Sequence, residues 1–304
     1  MSGPDRYLSH SKYLELHFGK LATFYAQSLA GMIATLVLIW CFYDGFWVQR
    51  LKANPKSSAE HYLGYIKVQK NKWLYYSYIM SILHALGCCY FVYIALFSCE
   101  VPPKYSVGGV LGDTFIYNEY CVDNASLIQG YGICFFLAYL TVDLVLCSCF
   151  IKDTSAGAMQ NYLHHILGIG GSVAGLLCGR MILTLSCATL LTEFSTPFVS
   201  LRALLSTHKK TSTTLYLANG LVMTLAFFVC RVLYQPWITI SFLWPAVVNR
   251  PENLAEMYPV TRYYCYFSIF LYVVLCVLNF FWFYKMASGL VKFLVKAPKP
   301  AKAE

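Results

Sequence analysis

Ionisable side chains inside long apolar segments are the residues of this sequence best suited to chemistry, and two adjacent histidines are the clearest case. His164 and His165 follow each other in an apolar run. Neighbours on a helix point about 100° apart, so a rigid helix cannot direct both imidazoles at one metal ion. We expect one ring to face a cavity as general base or transient nucleophile, and the other to pack or hydrogen-bond. The alternative is two interhelical hydrogen bonds without chemistry.

Asp143 is the expected partner of His165. Asp143 lies near the end of one apolar run and His165 near the start of the next. On antiparallel helices joined by a short loop, both lie roughly 8–12 Å inside the same face of the membrane. A carboxylate beside an imidazole orients it and stabilises its protonated form. The alternative is a helix-pairing hydrogen bond alone.

Glu193 is a third candidate, near the middle of its run and followed by Ser195, Thr196 and Pro197. Pro197 removes the N–H that would bond the Glu193 carbonyl, which predicts a kink. A carboxylate at a kink indicates a polar cavity; the alternative is an ion pair with Arg231 or Lys285. We expect Arg231, near the end of its run, to extend to the headgroups instead.

These side chains need helices that cross a membrane to position them. Apolar runs of about 20 residues span a bilayer, and only helices satisfy the backbone in continuous apolar runs. Residues 237–248 either extend the sixth run beyond Pro236 or lie at the membrane interface. The prediction is therefore an all-α polytopic membrane protein with six or seven spans, in which Asp143, His165 and Glu193 converge on one internal chamber. The runs are 21–43, 73–98, 127–151, 160–179, 181–205, 214–235 and 264–286.

Composition supports a membrane protein. Of 304 residues, 58% are hydrophobic and 12% charged, about half the charged fraction of a soluble protein. The net charge of +9 suits anionic lipid headgroups. No basic stretch is interleaved with aromatics, so we expect no nucleic-acid partner.

The distribution of basic residues predicts orientation. Lysine and arginine are concentrated in the 44–72 loop, the 206–213 loop and the tail, whereas the 99–126 loop has only Lys104. With seven spans, the segments rich in lysine and arginine all lie on the cytosolic side, so an odd number of spans is favoured. Residues 1–20 lack the apolar core of a signal peptide.

The cysteines do not suggest a metal site. Most of the 13 lie inside apolar runs, where cysteine packs as a small apolar side chain. No CxxC pair with matching histidines and no nucleotide-binding motif is present, so we expect no metal and no cofactor. One pair, Cys99 and Cys121, flanks the longest polar loop and is the disulfide candidate.

Several segments together resemble the TLC (TRAM–LAG1–CLN8) domain family. They are 138–144 (AYLTVDL), 161–165 (NYLHH), 192–198 (TEFSTPF) with Arg202 after it, and 278–286 (LNFFWFYKM). Their order and spacing are specific, and the nearest subgroup is the transmembrane-protein-56-like proteins. The domains predicted are a polar segment 1–20, a first span with basic loop 21–64, a TLC domain 65–290 and a basic tail 291–304.

The resemblance implies a helical bundle around a lipid-accommodating cavity in an endoplasmic reticulum membrane, or in another membrane such as the mitochondrial inner membrane. Ceramide synthases of this family transfer an acyl group from acyl-CoA to a lipid amine. Their aspartate pair is missing here, where Glu193 stands instead, which favours the branch linked to lipid homeostasis. The partners expected are membrane lipids. The alternatives are a non-catalytic lipid binder and a structural subunit with membrane-protein partners.

The same resemblance assigns roles to residues. His165, His164, Asp143 and Glu193 are the expected catalytic group, with acyl-CoA as a substrate. The expected lipid-binding residues are Ser195, Thr196, Arg202 and Asn279.

Overall fold

The computed structural model describes residues 10–47, 72–109, 111–244 and 259–295, and its secondary structure there is helical throughout. The predicted all-helical fold is confirmed. Most of the basic 44–72 loop and the end of the basic tail lie outside the described residues.

Seven long helical segments form the bundle. Three contain π-helical turns, and α5 is two α-helices joined by a 3₁₀ turn. They are α1 (His10–Trp40, then Cys41–Trp47), α2 (Lys72–Leu96), α3 (Leu127–Val145, then Leu146–Ile151), α4 (Ala156–Cys178), α5 (Arg180–Thr189, Leu190–Ser195, Thr196–Thr207), α6 (Thr214–Phe227, Phe228–Tyr234, Gln235–Trp244) and α7 (Pro259–Val295).

Six of these segments are long and apolar enough to cross a membrane, all except α4. The polar side chains Gln160, Asn161, His164 and His165 lower the hydropathy of α4. Its 23 residues nevertheless extend about 34 Å at 1.5 Å per residue, which exceeds the roughly 30 Å of hydrocarbon in a bilayer.

The ambiguous segment beyond Pro236 extends the sixth run. Helix α6 continues through Pro236 to Trp244, with Ile238 and Phe242 buried. A π-helical turn precedes the proline, which has no N–H to offer the carbonyl of Val232. Residues 245–248 lie outside the described part of the chain.

Six segments form a ring in the contact order α2, α3, α4, α7, α6, α5 and back to α2, while α1 packs outside it against α3. The first part of α5 fills the centre of the ring at one end, because it contacts α2, α3, α4 and α6. Every side chain from Arg180 to Ala188 is accordingly buried. The ring is therefore solid at that end, and space for a cavity remains at the other.

The loop between α2 and α3 lies at the solid end of the ring. The disulfide candidate, Cys99 with Cys121, forms a disulfide in this loop. Within the loop, Asp113 accepts hydrogen bonds from Ser106 Oγ (2.6 Å) and from the Val107 N–H (2.9 Å). These bonds lower the pKa of the Asp113 carboxyl group.

Candidate functional site

The expected pair of Asp143 and His165 is in contact. His165 Nε2 lies 2.8 Å from Asp143 Oδ2, and the two side chains are only 5% and 3% exposed. The other carboxylate oxygen accepts a 2.6 Å hydrogen bond from Ser77 Oγ on α2. The pair therefore joins α4 to α3, and Ser77 adds α2 to the same contact.

The second ring nitrogen of His165 is also engaged. Nδ1 lies 2.8 Å from the carbonyl oxygen of Asn161, one turn earlier on α4. A carbonyl only accepts hydrogen bonds, so Nδ1 carries a proton, while Nε2 is in ion-pair contact with the Asp143 carboxylate. A general base oriented by a carboxylate keeps its other nitrogen free for the substrate. His165 has no such free nitrogen.

His164, in contrast, has a ring nitrogen without a hydrogen-bond partner among the described residues. Its ring is half-buried, stands perpendicular to that of His165, and lies 5.6 Å from the indole of Trp282 on α7. Within the described part of the chain, no side chain or carbonyl bonds its Nδ1. Trp282 is held in turn, because its Nε1 donates to Gln160 Oε1 at 2.9 Å. The two histidines thus divide into one anchored ring and one free ring.

Glu193 lies in the 3₁₀ turn of α5, and Pro197 explains why the turn forms there. Pro197 cannot donate a backbone hydrogen bond, so the Glu193 carbonyl accepts the Thr196 N–H, one residue earlier than in an α-helix. The predicted irregularity at this proline is confirmed. It is the point at which α5 passes from the centre of the ring into its wall.

The prediction that Arg231 extends to the headgroups is wrong. Arg231 is 5% exposed, and its Nη2 lies 3.1 Å from Glu193 Oε1. Its Nε donates to Ser195 Oγ and its Nη2 to Thr196 Oγ1, each at 3.0 Å. Thr196 Oγ1 donates to Glu193 Oε2 at 2.6 Å. A buried charge needs a partner of opposite sign, and the arginine supplies it for Glu193.

Both polar pairs line one cavity of about 490 Å³. Asp143, His164 and His165 lie on one side of it, and Glu193 and Arg231 on another. The predicted convergence of Asp143, His165 and Glu193 on one internal chamber is confirmed. The remaining wall is largely apolar or aromatic, with Phe136, Tyr139, Leu140, Val199, Phe227, Trp282 and Met286.

The predicted lipid-binding residues are separated by the structure. Thr196 lines the cavity. Ser195 is fully buried behind it, where it accepts from Arg231 and donates to the Thr192 carbonyl. Arg202 stacks on Tyr216 and donates to its carbonyl, and Asn279 donates to Gln235 Oε1 within the α6–α7 interface. Their part in lipid binding stays a prediction, with the geometry supporting Thr196 alone.

Sequence reasoning missed three contributors to the cavity. Arg231 was assigned to the headgroups, Trp282 was not singled out, and Lys285 was considered only as a partner of Glu193. The signal for Arg231 was present, since an acid and a base within neighbouring apolar runs are expected to pair. Among the described residues, no three His, Cys, Asp or Glu side chains are grouped to hold a metal ion.

Comparison with protein families identifies the domain that contains this site. The TRAM–LAG1–CLN8 family model, the TLC domain, matches residues 77–288, which is more than half of the chain. The matched region begins in α2, ends in α7 and includes all the cavity residues named above. No curated protein sequence matches the chain.

Proposed function

Because the chain belongs to the TLC-domain family, which is broadly linked to lipid metabolism, we propose that it transfers an acyl group from acyl-CoA to a lipid amine or hydroxyl. One observation carries the proposal. His164, the one imidazole of the His164–His165 pair with a free ring nitrogen, lies at a mainly apolar cavity between two satisfied ion pairs.

His164 is the proton acceptor in this proposal. As the lipid amine or hydroxyl attacks the thioester carbonyl, a C–N or C–O bond forms and His164 takes the proton. The C–S bond then breaks, and His164 returns the proton to the departing thiolate. A base placed within reach of the attacking amine or hydroxyl raises the reaction rate by about 10²–10⁴.

The other polar residues position His164. The His165–Asp143 pair fixes the rotation of α4 against α3, and so directs the neighbouring ring towards the cavity. Trp282 packs against that ring from α7. Glu193 has both oxygens engaged by Arg231 and Thr196, so it shapes the cavity wall and holds α5 to α6.

The location of the cavity suits a soluble acyl donor. Its lining includes the start of α2, which follows the basic 44–72 loop, the end of α3, the start of α4, and the end of α7 that precedes the basic tail. Lys285 lies on this side of the wall. The phosphates of acyl-CoA would meet positive charge there, as anionic groups do at basic membrane surfaces. The membrane we propose is that of the endoplasmic reticulum.

The test is turnover by the purified protein with labelled acyl-CoA and amine or hydroxyl lipids. We expect acylated lipid from the wild type and a loss of about 10²–10⁴ in rate for His164→Ala. Leu163→Ala, at an exposed position on the same helix outside the cavity lining, is the matched control and should retain activity. Wild-type turnover no greater than that of His164→Ala would refute the proposal.

A non-catalytic lipid binder is the second candidate, and the saturation of the ionisable side chains favours it. Both nitrogens of His165 and both oxygens of Glu193 are already bonded within the protein. In this case His164 holds a headgroup and no product forms. Mass spectrometry of the purified protein would then find a bound lipid that His164→Ala loses, with labelled acyl-CoA left unconsumed.

A further inference from the structure

Helix α1 lies outside the ring, where it packs against α3. It also precedes residue 77, at which the match to the TLC domain begins. Within its 18-residue apolar stretch, only 6% of the residues are buried. Most of the surface of α1 therefore faces the lipid or another protein.

Two hydrogen bonds fix the depth of α1 in the membrane. The Tyr13 hydroxyl donates to the carbonyl of Ser126, at the start of α3, at 3.1 Å. The Tyr25 hydroxyl lies 3.2 Å from Thr141 Oγ1, near the middle of α3. Gln27 follows Tyr25 by two residues, so it lies level with the middle of α3, within the hydrocarbon of the bilayer.

The side chain of Gln27 is exposed at that depth. Within the part of the chain that the structure describes, no hydrogen bond satisfies its amide. Hydrocarbon offers neither donor nor acceptor, so an unpaired amide there is energetically unfavourable. In membrane bundles, glutamine side chains form hydrogen bonds across helices. Gln27 thus indicates a neighbouring helix that the single chain does not supply.

The surface around Gln27 suits the close approach of another helix. Residues three, four and seven positions away share its face of the helix. There Thr23, Ala30, Gly31 and Ala34 are all exposed. Among the described residues, nothing outside the helix lies within 4 Å of where a Gly31 Cβ would be. Small side chains let two helix backbones approach closely enough for the amide to reach its partner.

An open apolar groove of about 570 Å³ continues this face between α1 and α2. Leu38 and Phe42 line it from α1, and Ile79 and Leu83 from α2. Leu38 is exposed, and it shares the face of Gln27 because eleven residues make about three helical turns. Larger side chains of a neighbouring helix have a place to pack there.

We propose that this face binds α1 of a second copy of the chain, with the two Gln27 side chains paired at the centre of a dimer. An amide both donates and accepts hydrogen bonds, so two glutamines satisfy each other. Two copies inserted in the same orientation are related by a two-fold axis along the membrane normal, which brings residues of equal depth together. A different protein would need its own polar side chain at this depth. The inference is independent of the proposed function, because the residues that line the main cavity all lie outside α1.

Energy transfer between copies tests the dimer. The purified full chain carries a donor or an acceptor dye on an N-terminal tag, and the two pools are mixed in phosphatidylcholine vesicles at increasing lipid dilution. We expect transfer that persists at dilutions where unassociated proteins show none. Gln27→Leu should weaken association about tenfold, because the dimer loses two interhelical hydrogen bonds of modest strength. Gln27→Asn keeps an amide and should retain most of the association.

A second variant blocks the close approach without altering the single chain. Gly31→Leu adds a side chain where the chain itself leaves open space, and it should abolish the transfer. Gly289→Leu is the matched control, at an exposed glycine of α7 with equally open surroundings. No transfer in the wild type, or transfer at the wild-type level in Gln27→Leu or Gly31→Leu, would overturn the inference.

Crosslinking in native membranes identifies what covers the face. Oxidation of Ala30→Cys should give a product of twice the chain mass, beyond the amount that the native cysteines give. Val277→Cys, at an exposed position midway along α7, should give no such increase. A product of any other mass from Ala30→Cys would assign the face to a different protein and overturn the dimer.

Discussion

At the scale of residues, the ion pair of Glu193 and Arg231 is the most consequential contact in the cavity wall. Removing one member of a buried pair leaves an unpaired charge, which costs about 3–5 kcal/mol. We expect Arg231→Met to lower the stability of the protein by that amount, measured as thermal unfolding in detergent micelles. The double variant Glu193→Leu with Arg231→Met should recover most of the loss. A single variant as stable as the wild type would contradict the pairing.

The residue scale also shows how far sequence spacing can predict contacts. Asp143 and His165 were predictable partners, because a short loop between antiparallel helices fixes their relative depth. Arg231 was not, since its distance from the end of an apolar run says nothing about the direction of its side chain. That direction depends on the π-helical turn from Phe228 to Tyr234. The choice between His164 and His165 likewise required the bond to Asn161, which the sequence does not reveal.

At the scale of elements, the 3₁₀ turn of α5 depends on Pro197. Pro197→Ala restores an N–H that can bond the Glu193 carbonyl in α-helical geometry. We expect α5 to straighten and to move Glu193 away from Arg231. Lipid binding should weaken, and thermal stability should fall about as much as in Arg231→Met, because the straightening separates the same buried pair.

The matched comparison is Pro103→Ala, at the 3₁₀ turn Pro103–Tyr105 in the loop between α2 and α3, which lies outside the cavity lining. It should leave lipid binding near the wild-type value. Equal lipid binding by wild type and Pro197→Ala would show that the turn forms without the proline.

The contact between α4 and α5 gives a second prediction at this scale. Gly175→Ala places a methyl group 2.6 Å from Ser186 Oγ, whose position is held by two hydrogen bonds. Overpacking of this kind costs about 1–3 kcal/mol. Gly171→Ala on the same helix meets only ordinary contact at 3.9 Å, and should be neutral or stabilising by about 0.5–1 kcal/mol. Thermal unfolding of both variants checks the difference, and equal loss in both would contradict the close approach.

The elements themselves were largely predictable, while their arrangement was not. Continuous apolar runs predict membrane helices because a bilayer sets the least length that can cross it. The boundaries agree closely for α2 to α5, whereas α1 begins well before its run and α6 and α7 end well beyond theirs. Nothing in the run from 181 to 205 shows that its first half lies in the centre of the ring. Its residues from Arg180 to Ala188 are buried on every side by other helices, and lipid-facing and protein-facing apolar residues look alike in sequence.

At the scale of the whole molecule, the bundle has two unlike ends. One end carries the cavity, whose lining includes Lys285, and the loop with Lys209 and Lys210. The other is solid, filled by the first part of α5, and carries the Cys99–Cys121 disulfide. Disulfides persist in oxidising compartments, and basic loops favour the cytosol. We therefore expect the cavity to open towards the cytosol, with α4 as a seventh span.

This orientation can be tested with two exposed positions. Lys210→Cys lies in the loop between α5 and α6, and Val107→Cys in the loop between α2 and α3. With seven spans the two loops lie on opposite sides of the membrane, because α4 adds one crossing between them. A membrane-impermeant maleimide, applied to cells with only the plasma membrane permeabilised, should label Lys210→Cys, and should label Val107→Cys only after the internal membranes are dissolved. Labelling of both positions from the same side would mean that α4 does not cross the membrane. The cavity and the basic loop between α5 and α6 would then not face the same side.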